Sequence, residues 1–172
     1  MSGKVILNIA MSIDGYIARC DDSYDWIKGH GDVSVDTDVH FDYPNWLDSI
    51  DIVVMGKRSF DLNMHLEHKS KQILVATHTP QTDFDNVSFT CDLENRIKSE
   101  KEKGKSLYLF GGGKLIQSLV EKDLIDEYII GIIPTILGEG IPLFYPHKNA
   151  LPLKLIENYI ENGMVILKYI KV

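Results

Sequence analysis

The segment from 106 to 120 constrains the fold more than any other part of the chain. An apolar run, SLYLF, leads directly into three glycines at 111–113. The residues that follow place four apolar side chains on one helical face, namely Leu115, Ile116, Leu119 and Val120. This order predicts a buried strand, a tight turn and a helix packed against a sheet. Unencumbered backbone N–H groups at the positive end of such a helix form a good receptor for a phosphate.

The glycine segment matches neither of two common phosphate-binding fingerprints. Ile116 stands where the dinucleotide-binding pattern needs its third glycine, and Tyr108 and Leu115 occupy the glycine and hydroxyl positions of a Walker A loop. A glycine-rich turn that only lets a helix pack closely against a sheet is therefore an alternative interpretation.

The rest of the chain alternates apolar runs with helical or loop segments. Strands are predicted at 5–11, which should be buried on both faces, and at 51–55, 71–77 and 87–90. Helices are predicted around His40 to Leu47 and from an Asp92 cap to about Lys103. The chain ends in a hairpin that turns at 161–163. This alternation predicts an α/β fold in a single domain that spans residues 1–172.

Charge and cysteine content exclude several classes of protein. The formal net charge is −7 at pH 7, and no apolar run reaches the roughly 18 residues of a membrane span. Neither nucleic acid nor a membrane is therefore an expected partner. The two cysteines, Cys20 and Cys91, fit no zinc or disulfide pattern. We expect a cytoplasmic protein without a metal, in which a local basic cluster holds any anionic ligand.

A second candidate anion site follows the strand at 51–55. The tetrapeptide Gly-Lys-Arg-Ser at 56–59 stands at the expected start of a helix, where cations oppose the helix dipole unless an anion binds there. Thr77 and His78 end the next strand and would join this site if the two strands are neighbours. A solvated basic face is the alternative. With the glycine segment, the two sites suit a nucleotide that has a pyrophosphate and an additional phosphate.

Four segments in this order resemble the dihydrofolate-reductase superfamily, and more closely its branch related to the reductase domain of the bifunctional riboflavin-biosynthesis deaminase-reductase. They are AMSIDGYIA at 10–18, VVMGKRSF at 53–60, LFGGGKLIQSL at 109–119 and PTILGEGIPLF at 134–144. The resemblance spans nearly the whole chain. It implies a three-layer α/β fold with a central, mostly parallel sheet, helices on both faces and an antiparallel C-terminal hairpin.

The resemblance also implies that NADPH binds across the carboxyl edge of the sheet. The residues expected near the nicotinamide are Ala10, Ser12, Asp14 and Gly15. Those expected near the 2′-phosphate and adenosine are Gly56, Lys57, Arg58, Ser59 and Thr77. Those expected under the pyrophosphate are Gly111, Gly112, Gly113, Lys114 and Leu115. The lysine–arginine pair supplies more positive charge than ribose hydroxyls need, which favours NADP over NAD.

Hydride transfer also needs a proton source. Folate reductases carry a carboxylate on the helix before the MG motif, and in that region this chain has Asp36, Asp38, His40 and Asp42. His40 is nearest by spacing, so folate is not the expected substrate. We take Asp14, Asp38 and His40 as candidate catalytic residues. A surface charge, or an Asp-Gly turn in the case of Asp14, is the alternative for each.

These observations favour an NADPH-dependent reductase of a small heterocyclic, carbonyl or imine substrate, either like the riboflavin-pathway reductase or like a reductase of pterin- or folate-like compounds. The resemblance also implies a homodimer. The first alternative is a dinucleotide-binding or regulatory module that performs no turnover. The second is an interaction domain in which the glycine turn is structural and the apolar C-terminal hairpin offers an edge surface.

Several aromatic and histidine residues lie outside these motifs. Trp26 and Tyr24 are interpreted either as a substrate wall or as packing anchors in a loop. His65 and His68 share a helical spacing, but without a third ligand we expect both to be solvated. The acidic run at 21–25 lacks the glycine of a calcium-binding loop.

Overall fold

A computed structural model describes residues 3–172 of the chain. The chain forms two compact units. The first contains residues 3–7 and 43–126, and the second contains residues 8–42 and 127–172. Each unit therefore joins segments that are far apart in the sequence. No helix within residues 3–172 is long and apolar enough to span a membrane.

Strands and helices alternate along the described residues. The strands are β1 Val5–Ser12, β2 Tyr16–Ala18, β3 Ile52–Gly56, β4 Gln72–Ala76, β5 Val87–Thr90, β6 Leu107–Gly111, β7 Glu127–Ile133, β8 Ile141–Pro142, β9 Leu153–Glu161 and β10 Met164–Lys171. The helices are α1 Tyr43–Asp48, α2 Lys57–Asp61, α3 Leu93–Glu102 and α4 Gly113–Glu121, with a 3₁₀ helix at Met64–His68.

Parallel strands in the order β5-β4-β3-β6-β1 form the sheet of the first unit. Their apolar runs are buried, as continuous runs in parallel strands usually are. In β1 the prediction of burial on both faces is confirmed for Val5–Leu7 and is wrong beyond it. Residues 8–11 are only half-buried because β1 leaves the first unit after Leu7.

The helices of the first unit begin where the sequence provides suitable ends. The Asp92 carboxylate accepts a hydrogen bond from the Asn95 N–H at 3.3 Å and caps α3. Helix α4 buries Ile116, Leu119 and Val120, as their spacing predicts. Helix α1 begins at Tyr43 rather than at His40, because proline lacks an N–H and Pro44 fits only the first turn of a helix.

The second unit continues β1 into the strand order β1-β7-β10-β9, in which β10 is antiparallel to both β7 and β9. The hairpin between β9 and β10 turns at Asn162, with φ 54°, and Gly163, with φ 79°. Two adjacent left-handed residues are typical of a two-residue hairpin turn, so the predicted turn is confirmed. A smaller antiparallel pair joins β2 to β8.

The histidines of the 3₁₀ helix differ from the prediction. His68 is only 4% exposed, and its ring lies 5.0 Å from that of Phe110 and 5.8 Å from that of Tyr108. His65 stacks on Phe60 at 4.3 Å. The expectation of solvation is therefore wrong for His68, which aromatic rings of the first unit cover, whereas His65 is half-buried. Within residues 3–172 no group of three or more His, Cys, Asp or Glu side chains is arranged to hold a metal ion.

Candidate functional site

The glycine turn in the first unit leaves backbone donors available at the start of a helix. Gly111 and Gly112 have φ values of 148° and 101°, and helix α4 starts at the next residue. The Gly112 carbonyl accepts hydrogen bonds from the N–H groups of Leu115 and Ile116. No side chain caps this helix, so no cap occupies the N–H groups of its first two residues, Gly113 and Lys114. Positive φ, more than lack of space, requires glycine here, since a Cβ at Gly112 would meet only the Leu115 Cβ, at 3.7 Å.

The predicted basic turn lies at the end of the strand next to β6. Strands β3, β4 and β6 are parallel neighbours, with Gly56 beside Ala76 and Met55 beside Gly111. Parallel neighbours end at the same edge of a sheet, so the structure brings the 56–59 turn, Thr77 and the glycine turn to one edge. Thr77 and His78 follow β4, which is a neighbour of β3, so these residues lie at the same edge as the 56–59 turn, as predicted for neighbouring strands.

Lys57, at the start of α2, already has a partner. Its ammonium group binds the Asp61 carboxylate one turn further along the helix, and it lies 5.5 Å from the centre of the Phe60 ring. Arg58 beside it is exposed, whereas Ser59 is buried. A Cβ at Gly56 would meet nothing within 4 Å, so the space at this turn is open. An incoming anion would therefore compete with Asp61 for the lysine.

Thr77 extends this edge beyond β4. Its N–H donates to the Thr90 carbonyl at 3.0 Å, and its hydroxyl donates to the Thr79 carbonyl at 3.0 Å. These bonds hold the chain in a turn before Pro80. This edge of the sheet fits the phosphates of a dinucleotide. It combines two left-handed glycines, a helix without a side-chain cap, open space at Gly56 and a basic turn.

In the second unit, Asp14 holds two loops together. Its carboxylate accepts hydrogen bonds from the Ser12 hydroxyl at 2.6 Å, the Gly138 N–H at 2.7 Å and the Leu137 N–H at 3.1 Å. The Ser12 hydroxyl bond is the main cause that lowers the pKa of Asp14, and the two N–H groups lower it further. Asp14 is therefore an ionised acceptor at neutral pH and a poor proton donor. Its predicted part in catalysis stays a prediction, and its contacts favour a positioning role.

The other residues expected near the nicotinamide belong to the same turn. Ser12 is fully buried, and its hydroxyl oxygen accepts a bond from the Tyr16 N–H at 2.9 Å. Gly15 has φ 91°, and its carbonyl accepts a bond from the Leu143 N–H at 2.9 Å. Ala10 lies half-buried in β1. No local pattern pairs the 134–138 loop with this turn, and Gly138 is required there by its φ of 80° rather than by a close backbone approach.

His40 and Asp38 lie on an exposed segment attached to the C-terminal hairpin. The His40 Nδ1 atom is 3.5 Å from a carboxylate oxygen of Glu161, and Asp38 is exposed. Both are exposed, and their predicted catalytic role stays a prediction. Tyr24 is exposed, whereas Trp26 is 3% exposed with no hydrogen-bond partner for its indole N–H. Burial favours the packing-anchor interpretation for Trp26.

The segment at 29–41 is bound to the hairpin along its length. Asn162 is the centre of these contacts: its carbonyl accepts from the His30 N–H, its side chain accepts from the Gly31 N–H, and its own N–H donates to Asp36. Thr37 bonds the backbone of Ile160 in both directions. We call residues 29–41 the strap. These contacts could not be predicted from the sequence, because the strap has no hydrophobic periodicity and its partners lie more than a hundred residues away.

Comparison with known proteins agrees with the fold and with these motifs. The family model of the RibD C-terminal domain matches residues 47–165. The uncharacterized protein YwjB of Bacillus subtilis is 32% identical over 181 aligned residues and covers 99% of each chain. A solved protein of Shewanella sp. PV-4, provisionally named for riboflavin biosynthesis, is 26% identical, with a TM-score of 0.80 and coverage of 100% of this chain and 99% of its own.

The dihydrofolate reductase from Enterococcus faecalis, solved with NADP(H), has the same fold at 16% identity, with a TM-score of 0.61 over 99% of this chain and 98% of its own. The predicted α/β, dihydrofolate-reductase-like fold class, with a mostly parallel sheet and an antiparallel C-terminal hairpin, is thereby confirmed. The family match across most of the chain, together with the identity to YwjB, shows that this chain belongs to the RibD C-terminal domain family, which has a reductase-like fold.

Proposed function

We propose that this protein is an NADPH-dependent reductase that transfers a hydride to a small heterocyclic, carbonyl or imine substrate. The observation that carries the proposal is the edge of the first unit, where the glycine turn, the 56–59 turn and Thr77 end neighbouring parallel strands. The family and its reductase-like fold support the same conclusion. Bound NADPH would supply the hydride.

The residues of this edge would divide the binding of the cofactor between them. The N–H groups at the start of α4, at 113 and 114, would hold the pyrophosphate, with Leu115 beside them. Lys57 and Arg58 would hold the 2′-phosphate, with Ser59 and Thr77 beside the adenosine. In the second unit, the turn of Ser12, Asp14 and Gly15 would position the nicotinamide ring. Asp14 is already an ionised acceptor, so the proton is proposed to come from elsewhere, with His40 and Asp38 as candidates.

A dinucleotide-binding module without turnover is the second candidate function. The specific observation in its favour is that the hydrogen bonds of Asp14 are used internally, which leaves that turn without an evident proton donor. The two candidates share a cofactor and differ in chemistry. Binding alone therefore does not separate them, whereas oxidation of NADPH in the presence of a substrate panel does.

The first experiment is a thermal-shift titration with NADPH, with NADH and without nucleotide. Selective binding to the native state raises the melting temperature by mass action. We expect NADPH to stabilise the protein more than NADH does, and we expect this difference to disappear when Lys57 and Arg58 are changed to Ala. Lys69→Ala, an exposed lysine in the same unit, is the matched control. Absence of any response to NADPH would refute the proposal.

The partners and the compartment are part of the proposal. We infer a homodimer, a small-molecule substrate and no nucleic acid or membrane partner. The free, exposed Cys20 and Cys91 suit the reducing conditions of the cytoplasm. Light scattering coupled to size-exclusion chromatography tests the dimer, and a mass near the chain's own 19.5 kDa would contradict it.

A further inference from the structure

The negative charge of the chain is concentrated in the second unit. That unit holds 12 acidic residues against 6 Lys and Arg, whereas the first holds 13 against 12. Within residues 8–42 there are eight aspartates, and the only Lys or Arg residues are Arg19 and Lys28. The Arg19 guanidinium is already bonded to Asp25 at 3.1 Å. The segment that contains the Ser12–Gly15 turn is therefore a poor environment for a phosphorylated molecule.

Two exposed isoleucines flank Asp14 on the loops that it joins. Ile13 is 59% exposed and Ile136 is 72% exposed. The Ile13 N–H donates to the Thr135 carbonyl at 2.9 Å, and the Leu137 N–H donates to Asp14. These hydrogen bonds hold the backbone of Ile13 and the loop that carries Ile136 next to each other, beside Asp14. Single exposed apolar residues are common, but two that are fixed on paired loops form an apolar surface ready for a ligand.

We propose that Ile13 and Ile136 contact the ring face of the substrate, and that this substrate is an uncharged, unphosphorylated heterocycle. The inference rests on the proposed reductase function and defines the substrate class of that site. An apolar ring face gains from burial against the two isoleucines. A phosphate group on the same substrate would meet the Asp14 carboxylate and the net negative charge of residues 8–42, both of which oppose its binding.

The test compares two probes that differ only by a phosphate: a ribosylated aminopyrimidine and its 5′-phosphate. Initial rates of NADPH oxidation give kcat/KM for each, and thermal shift in the presence of NADP⁺ measures the binding of each. We expect kcat/KM to favour the unphosphorylated probe by about tenfold. Because salt screens repulsion between exposed charges, raising the ionic strength should reduce this ratio.

Substitutions of the two isoleucines test whether these residues cause the preference for the unphosphorylated probe. Ile13→Ala and Ile136→Ala should each raise KM for the unphosphorylated probe several-fold while leaving the NADPH-induced thermal shift unchanged. Val33→Ala is the control, because Val33 is similarly exposed, at 66%, and belongs to the strap of the same unit. Ile136→Lys, which adds a cation beside the turn, should improve kcat/KM for the phosphorylated probe.

The outcomes separate this inference from the proposed function. Equal or better use of the phosphorylated probe, or isoleucine variants that behave like Val33→Ala, would overturn the substrate assignment while leaving the reductase intact. The protein could also bind the unphosphorylated probe selectively, lose this binding in the isoleucine variants and yet oxidise no NADPH. That result would support the assignment of the ligand and contradict the proposed reductase function. A preference that is lost in Ile13→Ala and Ile136→Ala, accompanied by turnover, supports both.

Discussion

The Ser12 hydroxyl donates a 2.6 Å hydrogen bond to the Asp14 carboxylate, which also accepts N–H bonds from Leu137 and Gly138. This arrangement explains why an aspartate followed by glycine is found where the first strand ends. The carboxylate organises the backbone of two loops, and the Ser12 hydroxyl, with the two N–H groups, in turn lowers the pKa of the carboxylate. Asp14 is thus a positioning residue, and its substitution should affect structure at the turn before it affects chemistry.

Asp14→Asn tests this positioning role. Because the folded-state pKa of Asp14 is lowered from its usual 3.8, ionised Asp14 stabilises the fold above that value, and the stabilisation is lost as the pH falls through the folded pKa. We expect the variant to melt below the wild type at pH 7, with the difference shrinking in strong acid. Thermal denaturation between pH 7 and pH 2 measures this, and a difference that does not change with pH would contradict it.

Asp61→Asn should strengthen the binding of NADPH. The Asp61 carboxylate occupies the Lys57 ammonium, and removing its charge releases the lysine for a phosphate. We expect a few-fold gain in affinity for NADPH and little change for NADH, which lacks the 2′-phosphate. Fluorescence titration gives both constants. Asp48→Asn, another exposed aspartate of the first unit, is the control, and an equal gain there would assign the effect to net charge alone.

His68→Leu should stabilise the protein, and more so in acid. Both ring nitrogens of His68 lack a hydrogen-bond partner, and burial lowers its pKa below the usual 6.5. The unfolded chain therefore binds a proton more readily, so native stability falls as the pH drops through 6.5. Removing an unsatisfied buried polar group gains about 1–2 kcal/mol.

Urea denaturation at pH 8 and pH 5 measures the effect of His68→Leu. The gain should be larger at pH 5 than at pH 8. His78→Gln is the comparison, because His78 is exposed in the same unit. Destabilisation by His68→Leu at both pH values would show that the imidazole makes a contact of its own in the native state.

Gly163→Ala should weaken the attachment of the strap to the hairpin. Gly163 has φ 79°, a conformation that costs other residues about 1–2 kcal/mol, and an added Cβ would overlap the His30 ring. In the double variant with His30→Ala, the overlap is relieved and only the backbone strain remains. A double-mutant cycle on unfolding free energies should therefore show coupling between the two positions. Strictly additive effects would mean that His30 moves away at no cost.

Much of the fold could be predicted because its strands are continuous apolar runs. The runs at 51–55, 71–77 and 87–90 all form strands, with ends displaced by at most a residue or so. The hairpin turn at Asn162–Gly163 and the Asp92 cap were also foreseeable, since each depends on a local residue preference. Local patterns of this kind can be recognised in a single sequence.

The predictions failed where distant residues decide the structure. The burial of His68 depends on aromatic side chains of β6, about forty residues away, and no helical spacing reveals it. The role of Asp14 depends on amides at 137 and 138. The pairing of Lys57 with Asp61, by contrast, is local, and its i,i+4 spacing on a short helix could have been recognised from the sequence.

The contacts of the strap also determine when the protein can finish folding. Gly31 bonds Asn162 across 131 positions of sequence, and Asp14 bonds Gly138 across 124. During synthesis, the loops after β1 emerge from the ribosome long before their partners exist. The second unit therefore cannot finish folding until the β9–β10 hairpin has been synthesised. Its contacts join residues far apart in sequence, and this high contact order predicts that the final folding step is slow. A chain halted before residue 162 would already contain the glycine turn but would lack the Asn162 contacts that hold His30, Gly31 and Asp36.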